Sequence, residues 1–120
     1  MDFGEAIKSG FNNYATFSGR AQRSAFWYWV LFTFLVGVGL TIVDFAIFGV
    51  RDYSPFAGLF GLATLLPGLA VGARRLHDID RTGWWLLLYF IPLIGIIVLI
   101  IWWCQPGEPG ANRFGVNPLG

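Results

Sequence analysis

The sequence predicts an all-α integral membrane protein: three transmembrane helices preceded by a short amphipathic interfacial helix. Three observations carry that prediction. Of the 120 residues, 56% are hydrophobic and the mean hydropathy is +0.62, against roughly 45–50% apolar residues in an ordinary soluble domain. Three long apolar runs hold a single charge among them, Asp44. All six tryptophans, Trp27, Trp29, Trp84, Trp85, Trp102 and Trp103, fall at the ends of the first and third runs, and such amphipathic rings favour the headgroup layer of a bilayer.

The elements follow in order within one membrane domain spanning 1–120. In residues 1–17, Phe3, Ile7, Phe11 and Tyr14 recur at three- and four-residue spacing, while Asp2, Glu5, Lys8, Asn12 and Asn13 fall elsewhere. That period suits a helix lying in the interface, although Gly4 and Gly10 lower its intrinsic propensity. The apolar runs predict spans at 26–49, 55–73 and 84–104. A crossing helix needs about 20 residues, at about 1.5 Å each, to traverse about 30 Å of hydrocarbon. The first and third clear that length; the second reaches it by tilting or by including Tyr53–Pro55. The tryptophan pairs 84/85 and 102/103 are expected to mark where the third span enters and leaves the bilayer. A cleaved signal peptide fits poorly, because the first apolar run begins only at Phe26 and no small-residue cleavage site follows it closely. The tail, 105–120, reads QPGEPGANRFGVNPLG and is rich in turn-forming residues. Disorder is its simplest reading, but Phe114, flanked by those residues, offers a way to hold the tail on the membrane surface.

Charge excludes some functions and orients the chain. The net charge of +1 and the lack of a basic stripe give no nucleic-acid footprint. Cys104 is alone, so no internal disulfide forms. With three spans, Lys8, Arg20, Arg23, Arg74, Arg75 and Arg81 lie on one side, and Arg51 and Arg113 on the other. The bias of basic residues towards the cytoplasm then places the N-terminus and the 74–83 loop inside, and the C-terminus in the periplasm or outside.

The stretch RRLHDIDR, 74–81, gathers six ionisable residues in a chain poor in them. His77, Asp78 and Asp80 resemble metal ligands. Zinc sites, however, use three or four ligands and often more than one His or a Cys. This is the chain's single His, and Cys104 is expected across the membrane, so no metal or cofactor is expected. His77 with Asp78 or Asp80 could serve as base and orienter, but no nucleophile accompanies them; an enzyme is the weakest reading.

Two others are stronger. Arg74, Arg75 and Arg81 suit anionic lipid phosphates, as basic residues at a cytoplasmic helix end do. Alternatively they pair with Asp78 and Asp80 in a rigid turn that fixes how the second and third helices dock. Arg20 and Arg23, on the same side, can join either network. The candidate site is therefore Arg20, Arg23, Arg74, Arg75, His77, Asp78, Asp80 and Arg81, with an anionic phospholipid or a membrane-protein partner as its ligand. An oligomeric transporter or small-ion channel is the alternative, with Asp44, Pro67 and Pro92 on the pathway. Asp44 stands near the exit of its span, which favours an interfacial role over a proton relay. Gly68 and Gly72 form a GxxxG that can serve a homo-oligomer or, more simply, packing within the chain.

Three polar stretches, FSGRAQRSAFWYW (17–29), RRLHDIDRTGWW (74–85) and GEPGANRFGVNP (107–118), together resemble the YhaH/YhaI-like family of small bacterial inner-membrane proteins, a domain of unknown function. The resemblance rests on Phe17, Gly19, Arg20, Arg23 and Trp27; on Arg74, Arg75, His77, Asp78, Arg81 and Trp84; and on Gly107, Gly110, Asn112, Arg113, Phe114, Gly115 and Pro118. It implies a bacterial inner-membrane location and no particular activity. If the third stretch lay on the same side as the second, the span count would have to change, and a joint site built from all three would become the better reading.

Overall fold

The structure, a computed structural model, describes residues 1–49 and 54–119. Arg51, counted above on the opposite side, and Tyr53 lie outside the described residues. Among the described residues there are four α-helices, α1 (Phe3–Asn12), α2 (Arg23–Phe48), α3 (Pro55–Asp78) and α4 (Ile94–Cys104), with a 3-10 helix at Gly83–Phe90 between the last two.

The amphipathic period of the N-terminal segment does form a helix, shorter than its expected span. Asp2 caps α1 by accepting from the Glu5 backbone N–H at 2.8 Å, and Glu5 reaches back to the Asp2 N–H, a reciprocal capping box. The Glu5 N–H holds the Asp2 carboxyl below its usual range. α1 lies against α2: Phe3 meets Tyr28 edge-on, and Phe11 meets both Trp29 and Phe32. Gly10 is required by this approach, because a Cβ there would stand 2.2 Å from the Trp29 ring.

α2 and α3 are the two helices long and apolar enough to cross a membrane. With 26 and 24 residues they extend about 39 and 36 Å at about 1.5 Å per residue. Pro55 opens α3, where its missing N–H costs nothing. The Asp44 carboxylate of α2 accepts from the Phe56 and Ala57 N–H groups at 3.1 and 3.0 Å. A carboxylate there satisfies orphan donors and suits the positive end of the helix dipole. Asp44 therefore serves α3 as a cap donated by its neighbour. The GxxxG packs inside the chain, with the Trp103 indole N–H donating to the Gly72 carbonyl at 3.2 Å and Trp29 beside Gly68.

The third span differs from expectation. Residues 84–104 do not form one crossing helix; they fold into a hairpin. The 3-10 arm has eight residues and α4 has eleven, so at about 2.0 and 1.5 Å per residue each is about 16 Å long, half of the roughly 30 Å hydrocarbon. Pro92 causes the turn: it has no N–H to continue a helix, and it forces Ile91 into extended backbone, observed at φ −100°, ψ 97°. Leu93 then adopts φ 68°. Gly95 lets the arms meet, since a Cβ there would lie 1.9 Å from the Leu88 carbonyl oxygen. The two tryptophan pairs consequently mark the same end of the molecule, with Trp85 and Trp102 edge-to-face at 5.3 Å.

The core sits where α2, α3 and the hairpin converge. Phe26, Trp29, Val71, Leu76, Leu99 and Trp103 are buried there. Trp29 and Trp103 thus contribute to the core, and Trp27, half-buried, donates its indole N–H to the Trp103 carbonyl at 3.2 Å. Trp84 and Trp85 are the exposed rings, and Trp102 is half-buried.

Candidate functional site

The charged stretch is mostly helix, not loop. Arg74–Asp78 form the last turn of α3, and all five residues are buried. The helix then ends in a Schellman motif: the Asp80 N–H donates to the His77 carbonyl, and the Arg81 N–H to that of Leu76, both at 2.9 Å. Asp80 holds the left-handed position at φ 61°, a conformation aspartate tolerates better than most residues.

Around this helix end the three polar stretches meet. Asp78 is the centre: one carboxylate oxygen accepts from Arg20 Nε at 2.9 Å, the other from Arg75 at 2.8 Å, and both arginine side chains are fully buried. Each guanidinium spends its remaining donors on tail and hairpin carbonyls. Arg20 donates to Gly110 at 2.7 Å and Glu108 at 2.6 Å; Arg75 donates to Trp103 at 3.2 Å and also to Gln105. The tail answers with the Glu108 N–H on the Asp78 carbonyl, 2.8 Å. Gly107 makes the approach possible, as a Cβ there would stand 2.0 Å from the Asp78 carboxylate.

His77 faces a different set of groups. Its Nδ1 lies 2.8 Å from the Gly19 carbonyl; a carbonyl can only accept, so Nδ1 carries the proton. Phe114 stacks on its ring at 4.1 Å and 1°. Phe114 thus holds the tail to the protein itself. The Asn112 amide donates to the His77 carbonyl at 2.9 Å, and Arg113 pairs with Asp80 at 2.9 Å on the surface. His77, Asp78 and Asp80 therefore serve three separate sets of partners.

The remaining arginines differ in how fully they are engaged. Arg81 lies over the Trp102 ring at 4.0 Å, a cation–π contact. Arg23 is exposed and reaches the Cys104 carbonyl at 3.3 Å. Arg74 is buried, and its Nε has no partner among the described residues.

The expectation that the tail and residues 74–81 lie on opposite sides is corrected by these contacts: 107–118 packs directly on 74–81, because the hairpin returns the chain to the end it left. Sequence reasoning grouped Arg20, Arg75, His77, Asp78 and Asp80 as one candidate site, with arginine–aspartate pairing as one of two readings, and did not join them to Glu108, Gly110, Asn112 and Arg113 of the tail. The signal was the third polar stretch, discounted only because a third span was assumed.

Long apolar helices, a half-depth hairpin and a buried arginine–aspartate clasp define the class: a small helical membrane protein with one polar head. The chain belongs to the family described as "Protein of unknown function (DUF805)", whose pattern matches residues 14–116 and so covers the first two polar stretches and all but the last two residues of the third. It is 43% identical over 106 residues to inner membrane protein YhaI of Escherichia coli strain K12, covering 88% of each chain. To inner membrane protein YhaH of the same strain it is 41% identical over 110 residues, covering 88% of this chain and 89% of that one. No solved structure matches it.

Proposed function

We propose that this is a non-enzymatic inner-membrane protein whose head lies at the cytoplasmic surface and binds anionic lipid headgroups. One observation carries the reading: the head gathers six arginines, Arg20, Arg23, Arg74, Arg75, Arg81 and Arg113, around three acidic residues, Asp78, Asp80 and Glu108. Arg20 and Arg75 share one carboxylate and Arg113 takes another. Arg23 and Arg81 form no ion pair among the described residues, so their charge is free to act on the membrane.

The location favours this use. α2 and α3 as the two crossings, with the hairpin re-entering from the head side, bring the N-terminal segment, the end of α3 and the tail to one surface. The basic bias supports a cytoplasmic position for that surface, where the leaflet is anionic and each Arg near it contributes about 1 kcal/mol of attraction. The transport reading loses support because its carboxylate, Asp44, is committed to capping α3.

The test is lipid analysis of purified protein. Wild type should retain phosphatidylglycerol over zwitterionic lipid, and Arg23→Gln with Arg81→Gln should lower that enrichment while leaving the clasp intact. Equal lipid profiles in the folded variant and the wild type would sink the proposal; a protein captured by the wild type alone, with unchanged lipid, would show a membrane-protein partner instead.

A further inference from the structure

We propose that the cavity at Arg74 is a phosphate site: it takes the oxyanion of a phosphate group, carried by a lipid headgroup or free. This rests on the anionic-lipid reading of the head and gives it a defined site beside the clasp, whose Arg20 also lines the cavity.

Arg74 is the exception in the head. It is 5% exposed, and its Nε is the buried side-chain nitrogen or oxygen that finds no partner among the described residues. Arg20, Arg23, Arg75 and Arg113 each donate to named oxygens, and Arg81 covers an indole. An Nε–H buried without an acceptor is unfavourable, because its lost hydration is uncompensated. Its position is not an accident of loose packing, since the Arg74 carbonyl is tied to the Ala21 N–H at 3.0 Å.

The side chain lines a cavity of about 310 Å³ between the end of α1, the 18–22 segment and α3. Ser9, Asn13, Ser18 and Gln22 line it, the Asn13 amide donating to Ser9, and among the described residues no Asp or Glu does. An arginine, hydroxyl and amide donors, and the absence of any carboxylate together select an anion. Arginine's planar fork matches the spacing of two phosphate oxygens. The volume falls at the small end of ligand pockets, roughly 300–1,000 Å³, which suits a phosphate with a short polar substituent and leaves an acyl chain outside.

Full-length protein in zwitterionic nanodiscs decides the matter. One arm titrates inorganic phosphate against chloride at constant ionic strength; the other replaces part of the zwitterionic lipid by phosphatidylglycerol. The readout in both is the unfolding midpoint, which rises when a ligand binds the folded state alone. Wild type should gain several degrees in at least one arm: a response to phosphate identifies a free ligand, and a response to phosphatidylglycerol alone identifies a headgroup. Arg74→Gln should remain folded, since it removes a buried Nε–H that finds no acceptor among the described residues, and should weaken the response about tenfold or more. Arg23→Gln and Arg81→Gln should retain the midpoint shift.

No shift in either arm, or a wild-type response from Arg74→Gln, overturns the site. If Arg74→Gln fails to fold, Arg74→Lys takes its place: loss of the two-pronged donor should still weaken binding about tenfold, and unchanged affinity overturns the site. If binding depends on Arg23 and Arg81 and not on Arg74, the site is overturned while the broader lipid-binding reading stands.

Discussion

Replacing Asp78 with asparagine leaves the shape of the clasp and removes its charge. Asp78 accepts one hydrogen bond from Arg20 and one from Arg75, at 2.9 and 2.8 Å, and neither arginine side chain has contact with solvent. Hydrogen bonds to charged groups contribute about 1.5–3 kcal/mol each, so losing one outright and the charge from the other costs about 3–5 kcal/mol. Removing one partner of a buried ion pair costs about 3–5 kcal/mol by an independent route, and the two figures agree. Asparagine keeps one acceptor oxygen but turns an NH₂ towards the other guanidinium, donor against donor. The tail carbonyls that remain on Arg20 and Arg75 accept hydrogen bonds but carry no full negative charge, so they cannot replace the carboxylate.

The assay is denaturant unfolding in detergent, followed by tryptophan fluorescence and extrapolated linearly, because Trp103 and Trp29 report on the core directly. Asp80→Asn is the internal control. Its pair with Arg113 is half-exposed, with side chains 58% and 38% accessible, and surface pairs contribute only about 0–1 kcal/mol. Asp78→Asn should therefore cost several times more than Asp80→Asn. Adding Arg20→Gln to Asp78→Asn should restore part of the loss, because one stranded charge is gone; a double-mutant cycle measures that coupling. An Asp78→Asn protein within about 1 kcal/mol of wild type would refute the view that this carboxylate holds the head together.

Other perturbations probe other joints. Gly107→Ala should destabilise by about 1–3 kcal/mol, the usual range for forced overpacking, with faster proteolysis of the tail, since its Cβ would meet the Asp78 carboxylate at 2.0 Å. Gly95→Ala should do at least as much harm, because there the clash at 1.9 Å is with the Leu88 backbone carbonyl; a wild-type thermal midpoint would argue against the hairpin. Cysteines placed at Thr82 and Val116 in a Cys104→Ser background should both label from the same side with an impermeant maleimide, whereas a crossing third span requires labelling from opposite sides. Asp44→Ala strips two N–H groups of α3 of their acceptor and should cost about 1–2 kcal/mol, as loss of a helix cap does, measured by the same unfolding assay.

Hydropathy made α2 and α3 legible almost to their ends, because a long apolar run has few alternatives in lipid. It misread two places for one reason: it records which residues are apolar and carries no direction. Residues 84–104 are apolar throughout, so the reversal at Pro92–Leu93 leaves no trace in the average. The cues were local: a proline in mid-run, Gly95 just beyond it, and a tryptophan pair at each end, which a hairpin explains as well as a crossing helix. The other misreading placed 74–78 in a loop on the strength of its charge. Charge does not end a helix when acceptors come from elsewhere, and here they come from the end of the hairpin and the start of the tail, 28 and 30 residues further along, where the Trp103 and Gln105 carbonyls accept from Arg75.

The two misreadings are physically one. Buried arginines need acceptors, and a helix offers few, since its carbonyls are already bonded within it. The tail supplies them because its Gly- and Pro-rich backbone forms no ladder of its own; beyond the Asn112–Gly115 bridge, its carbonyls are free to turn inward to Arg20 and Arg75. That is possible only if the hairpin arms are equal in length, so that the chain comes back to the level at which it left α3. A third helix crossing the bilayer would carry Gly107–Gly110 some 30 Å away and leave Arg20 and Arg75 with one carboxylate between them. The half-depth hairpin and the clasp thus require each other. Arg74, whose Nε finds no tail carbonyl among the described residues, is left to take an acceptor from outside the protein.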